Sequence, residues 1–331
     1  MEANKFEAQR RQLLLASGLG MVGLGLGAPH VALANTRLRQ GFQTNIWGMP
    51  TYYLLKSGAL KKVGIDFEEF AVPSGNLTMQ QMVARQVDLG TYAGPSFITG
   101  HDKGELVAIA VIEYVGKTTS IMARKELNIT KVEQLKGLKI ANQTGSSIGN
   151  IFMNTIAPKY GLSKDSFTEV RMNVNDMVAA MAAKTVDAMV NVEPYNSIVE
   201  ADGLATQVVN YWDFDQMPVV MAATPDFVEK NPDMVVRYLQ AWLDVAKDFQ
   251  SSPDKVSGVI YDFYSSKGYT MSKSTLQKAL SKIDVRPHFP SDFQSYMQTQ
   301  AEILLKAKRI KAIPDWKKAL RPEFMQKAIT T

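Results

Sequence analysis

The sequence predicts an α/β protein of two lobes, each a largely parallel sheet flanked by helices, with a ligand cleft between them. Three observations carry this expectation. Short β-prone runs alternate with helical patterns along most of the chain, as parallel strands joined by helical crossovers require. The 331 residues exceed what one hydrophobic core usually serves. The strand candidates ending at Gln43, Ser74, Ala93, Thr144 and Asn191 run into loops rich in small, aromatic or amide residues. Open α/β sheets bind ligands outside such carboxyl ends.

The elements follow in order. Residues 1–34 read as a targeting segment: Arg10-Arg11-Gln12-Leu13-Leu14 precedes a weakly apolar, glycine-rich run through Leu26, and Val31-Ala32-Leu33-Ala34 supplies small residues for cleavage. This is the pattern of a twin-arginine export signal cut near Ala34, which places the mature chain in an oxidising compartment, the periplasm. Neither this run nor any later one reaches the roughly 18–20 uninterrupted apolar residues of a membrane span. Strands are expected over 37–42, 65–71, 89–91, 107–115 and 119–123, with helices over 52–61 and 77–86. A new unit begins at Val132, with strands at 138–141, 168–172 and 188–192 and helices from Ile148 and over 175–184. Residues 218–223 form a return strand, after which helical patterns dominate. The first lobe is therefore expected to comprise 35–118 and 219–331, and the second lobe 119–218.

Composition narrows the function. Removing the signal leaves 34 basic and 30 acidic residues, a near-balance that argues against nucleic acid as a partner. The basic excess gathers at Lys306, Lys308, Arg309, Lys311, Lys317, Lys318 and Arg321, interleaved with Ile303, Leu304, Ile310 and Ile313, and reads as the solvated face of terminal helices. The chain has no cysteine, hence no disulfide, lipid-modified cysteine or thiol nucleophile. His101 and His288 stand in unrelated contexts without the neighbours of a metal site or a catalytic triad. No nucleophile elbow, phosphate loop or His-Glu-x-x-His helix occurs. Neither an enzyme nor a cofactor or metal site is expected.

The most informative stretch is the serine turn: Leu138–Ala141, then Thr144-Gly145-Ser146-Ser147, then the helix from Ile148. A helix start exposes unpaired N–H groups and the positive end of its dipole, so small hydroxyl residues there can receive a sulfonate, carboxylate or nitrate. The same residues also serve as an ordinary N-cap, and the sequence leaves both open. Ser74-Gly75-Asn76 and Gly94-Pro95-Ser96 repeat the pattern. Trp47, Tyr52 and Tyr53 offer broad faces for a solute or for the core, Tyr53 reading as core. Lys117, beside Tyr114, either neutralises an anion or lies exposed on the crossover. Glu193-Pro194-Tyr195 brings a carboxylate that either caps the next helix or accepts hydrogen bonds from an amine or ring N–H of the solute.

Taken together, Gly48-Met49-Pro50 through Lys56-Ser57-Gly58-Ala59-Leu60, Ser74-Gly75-Asn76, Met82–Gly90 into Gly94-Pro95-Ser96, Leu135–Ala141 into Gly145-Ser146-Ser147, and Val186-Asp187-Ala188 into Glu193-Pro194-Tyr195 give the chain a family likeness. It resembles the periplasmic substrate-binding proteins of ABC importers, in the nitrate, sulfonate and taurine group that includes receptors for thiamine-precursor pyrimidines. The chain departs from the commoner pattern at Asn191, where a tryptophan is frequent. The resemblance implies a monomeric, hinged receptor that closes on a small anionic or zwitterionic organic solute and docks on an inner-membrane permease. A pyrimidine or aromatic acid as solute, or presentation of the ligand to a signalling protein, are the alternatives. The candidate ligand-binding residues are Gln43, Trp47, Tyr52, Ser74, Gly75, Asn76, Gly94, Ser96, Tyr114, Thr144, Ser146, Ser147, Asn175, Glu193 and Tyr195.

Overall fold

The computed structural model describes residues 37–331; the expected signal and its cleavage point lie outside them. Along the chain the strands are β1 (Leu38–Gln43), β2 (Phe67–Val72), β3 (Leu89–Ala93), β4 (Val107–Tyr114), β5 (Thr119–Arg124), β6 (Lys139–Asn142), β7 (Thr168–Arg171), β8 (Ala188–Val192), β9 (Ala205–Asn210), β10 (Pro218–Ala223) and β11 (Asp284–His288). They form a six-stranded sheet in the order β11-β4-β10-β3-β1-β2 and a five-stranded sheet in the order β7-β6-β8-β5-β9.

Both sheets are mixed, which corrects the expectation of largely parallel ones. β1 runs parallel to β2 and β3, and β6 parallel to β7 and β8, through helical crossovers. The remaining pairings are antiparallel. The cause is the chain path: it leaves the first sheet along β4, enters the second along β5, leaves along β9 and returns along β10. An outgoing strand lies against a returning one in each sheet, so those pairs oppose.

The first sheet is buried on both faces, as its apolar strands demand. Along β10, Val219 and Met221 join one core cluster while Val220 and Ala222 join the other. The first cluster is covered by the helix Pro232–Ser251, which buries Val235, Leu239, Trp242 and Val245 at helical spacing. The second cluster is covered by the helices Gly94–Gly104 and Phe293–Lys306 through Phe97, Ile98, Phe293 and Met297.

Several boundaries differ from those expected. The first helix begins at Met49, where Pro50 fits its first turn, and ends at Lys56; Gly58, with φ of 83°, breaks it before the short helix Ala59–Lys62. β9 and β11 are strands that the sequence pattern did not suggest. The basic C-terminal residues Lys306, Lys308, Lys311, Lys317 and Lys318 are exposed over buried Leu304 and Ile310. Among the described residues no helix is long and apolar enough to cross a membrane.

Candidate functional site

The serine turn is built by its own backbone. Ser146 Oγ accepts from Gly149 N at 3.1 Å and donates to the Gln143 carbonyl at 2.7 Å, so it caps the helix Ser147–Ile151. Gly149 permits this closeness, because a Cβ there would stand 2.4 Å from the Gln143 carbonyl oxygen. With Ser146 committed to the cap, Ser147 is free to reach outward. Its Oγ accepts from Ser96 N at 3.1 Å and lies 3.0 Å from Ser96 Oγ, joining the second-sheet turn to the helix that follows β3. A parallel link runs from Gln143 Nε2 to Ser74 Oγ at 3.0 Å.

These links close a narrow crevice, with a cavity volume of only about 10 Å³, between the ends of the two sheets. Gln43, Asn45, Trp47, Ser74, Gly75, Asn76, Tyr92, Ala93 and Ser96 form one wall; Gln143, Ser146, Ser147 and Ile148 form the other. Asn45 caps the turn before the first helix, accepting from Trp47 N at 3.0 Å, and Trp47 Nε1 donates to Thr118 Oγ1 at 2.6 Å. None of the lining residues is ionised, and burial holds the Tyr92 phenol well above its ordinary pKa. Two buried polar atoms of the lining have no partner: the donor Gln43 Nε2 and the acceptor Gln143 Oε1. A buried unpaired amide is costly, so both atoms call for a polar guest.

A larger concavity, about 460 Å³, lies beside the helices Pro253–Ser266 and Lys273–Leu280. Its polar groups satisfy one another, Gln277 Nε2 donating to Asp254 Oδ1 at 2.9 Å and to Ser257 Oγ at 3.2 Å. The crevice, not this concavity, brings unpaired polar atoms together.

Of the sequence candidates, Gln43, Trp47, Ser74, Gly75, Asn76, Ser96, Ser146 and Ser147 share the crevice. The others lie elsewhere. Tyr52 packs at a tilt against Phe42 and Phe263, with centroids 5.9 and 4.6 Å away. Gly94 packs under Tyr296 and Met297. Tyr114 meets His288 Nε2 at 3.2 Å beside a separate cavity that Asp215 and Tyr296 also line. Thr144 donates to Glu169 Oε1 at 2.8 Å on the opposite side of the turn, and exposed Asn175 donates to Asp176 Oδ1 at 2.8 Å. Tyr195 is buried against Tyr269, their hydroxyls 3.2 Å apart.

Glu193 is fully engaged within the protein. Its Oε1 accepts from Lys282 Nζ at 2.5 Å and its Oε2 from Ser197 N at 3.1 Å, while its carbonyl accepts from Ile46 N at 3.1 Å. Tyr53 is core, its hydroxyl donating to Asp248 at 2.7 Å. Lys117 is exposed, its ammonium 4.6 Å from the Trp212 ring centroid. His101 Nδ1 lies 2.8 Å from the Leu106 carbonyl. Sequence reasoning missed Asn45, Tyr92, Gln143 and Lys282. Asn45 could have been found as a cap two residues before Trp47; Lys282 carries no local signal.

Comparison with known proteins agrees with this architecture. Residues 47–256 match the family model described as NMT1/THI5 like. A putative binding protein of Brucella abortus is 27% identical over 251 residues, covering 73% of this chain and 75% of that protein. A putative aliphatic sulfonates-binding protein of Escherichia coli strain K12 is 25% identical over 227 residues, covering 67% and 69%. The solved alkanesulfonate-binding protein SsuA of Xanthomonas axonopodis pv. citri, bound to MOPS, has a TM-score of 0.76 at 17% identity, covering 86% of this chain and 98% of that one, a likeness of fold. The match reaches from the crevice wall at Trp47, through the whole second sheet, to the helices that cover the first: the chain belongs to the NMT1/THI5-like family, with the fold of periplasmic binding proteins.

Proposed function

We propose that this chain is the extracytoplasmic solute receptor of an ABC importer and that it holds a small organic anion, of the sulfonate class, in the crevice between its sheets. One observation carries the reading. Ser147 and Ser96, the start of the helix Ser147–Ile151 and the unpaired Gln43 amide converge on one enclosed space without a cation. Oriented neutral dipoles suit a soft, delocalised oxyanion that must later be released. The relatives named for sulfonates support the same class. The reading includes export through the twin-arginine route with cleavage near Ala34, action as a monomer in the periplasm, delivery to a membrane permease, and lobes comprising 35–118 with 219–331 and 119–218.

A second reading, an amino-substituted pyrimidine or aromatic acid, rests on Trp47 in the wall and on Gln143 Oε1, which would accept from a ring N–H. A thermal-shift screen of the mature protein separates them. A ligand at 100 times its dissociation constant stabilises the fold by roughly 2.7 kcal/mol. Alkanesulfonates are expected to raise the melting temperature, and pyrimidines and nitrate to leave it unchanged. A flat response to every sulfonate would remove the anion reading.

A further inference from the structure

We infer that Lys282 is a built-in counter-charge that sets the solute class: it neutralises the carboxylate buried next to the crevice wall, so the crevice selects a monoanion with an uncharged tail over a zwitterion of the same size. This rests on the reading of the crevice as an organic-anion site.

Glu193 is 1% exposed and does not line the crevice, but its backbone is bonded to the segment that does. Its carbonyl holds Ile46 N and its N–H donates to the Thr118 carbonyl at 2.9 Å, while Asn45 and Trp47, on either side of Ile46, line the crevice. Left unpaired, that buried carboxylate would add a poorly screened negative charge behind the crevice wall. It would repel a sulfonate and attract an ammonium.

Lys282 cancels that charge from a distance of 2.5 Å, and Ser197 N takes the second oxygen. The lysine arrives from the C-terminal third, in the turn before β11 of the first sheet, whereas Glu193 follows β8 of the second. A zwitterion in the crevice would therefore find no free carboxylate for its ammonium. What remains unpaired toward the solute is neutral: the Gln43 donor fits a sulfonate oxygen, and the Gln143 acceptor fits a hydroxyl.

Isethionate and taurine share chain length and sulfonate and differ only in a terminal hydroxyl or ammonium, so their affinity ratio reads the charge directly. Calorimetric titration is expected to show wild type favouring isethionate by about tenfold or more. In Lys282→Met, isethionate should weaken about tenfold and taurine should gain, reversing the preference. Lys282→Arg, and Lys282→Met combined with Glu193→Gln, should both keep the wild-type ratio. The double variant leaves no lone buried carboxylate, so it tests the inference even if Lys282→Met does not fold. Wild type binding taurine as tightly as isethionate, or Lys282→Met weakening both equally as a mere clasp would, overturns the inference while leaving the anion site standing. Failure of both sulfonates to bind wild type overturns the anion reading and this inference together.

Discussion

Ser146 and Ser147 are adjacent, chemically identical and both in the crevice wall, but only Ser147 spends its hydroxyl across the sheets. Ser146→Ala removes a cap and should lower stability by about 1 kcal/mol. Ser147→Ala removes the acceptor of the buried Ser96 N, so it should weaken sulfonate binding by about 1–3 kcal/mol and also lower stability by about 1–3 kcal/mol. Calorimetry and thermal denaturation on the two variants should show a loss of affinity confined to Ser147→Ala; equal losses in affinity would reduce the turn to a cap. The turn was legible in the sequence because its chemistry is local: hydroxyls follow a strand and precede a helix within a few residues. Glu193 was expected to face the cleft, whereas its carboxylate is paired with Lys282 and Ser197 N and does not line the crevice. Lys282 lies 89 residues away in a segment with no motif.

At the scale of elements, what the sequence showed best were apolar runs. β4 and β10, eight and six residues long, are almost wholly buried and were placed within a residue of their ends. β9 and β11, both sheet edges, escaped because their runs lack a clear apolar pattern. Ala205–Asn210 carries Thr206, Gln207 and Asn210, and Asp284–His288 carries Arg286 and Pro287, compositions tolerated only where one side of a strand pairs. Glycines divide in the same way between those that shape the site and those that do not. A Cβ on Gly48 would stand 1.7 Å from the Gln43 carbonyl oxygen, so Gly48→Ala must push the crevice wall aside. Gly258, inside the helix Pro253–Ser266, has nothing within 4 Å of an added Cβ, so Gly258→Ala should stabilise the protein by about 0.5–1 kcal/mol. Denaturant melts of the two variants should move in opposite directions.

For the whole molecule, the segments joining the sheets matter most. The outgoing segment runs beside the returning one, with Val115 N donating to the Met217 carbonyl at 3.2 Å and Gly116 N to that of Gln216 at 2.9 Å. Asp215 pins this junction to the helix Phe293–Lys306: Tyr296 Oη lies 3.0 Å from both of its oxygens, Gln300 Nε2 donates to it at 2.9 Å and Met217 N at 2.7 Å. Burial outweighs these donors and pushes its carboxyl up to about 6. The folded protein then keeps a proton that the unfolded chain releases above pH ~4, so this contribution to stability is full below that point and is lost as pH rises through about 6. The loss amounts to about 3 kcal/mol at most. Asp215→Asn should erase it, so wild type should lose stability relative to the variant between pH 4 and 7. Parallel melting curves for the two across that range would show that the carboxyl does not titrate there.

The same junction makes the second sheet a passenger in the chain. Residues 119–210 enter and leave at one point, where Tyr211 N donates to the Thr119 carbonyl at 3.0 Å and Asn210 Nδ2 to that of Lys117 at 2.9 Å. The gene can therefore be cut into a guest whose ends already touch and a host whose gap, from Gly116 to Gln216, a tight turn would bridge. Each piece would carry one wall of the crevice and neither would hold a solute alone. Expressed separately and fused to complementary reporter fragments, they would make a split sensor in which the solute supplies the glue.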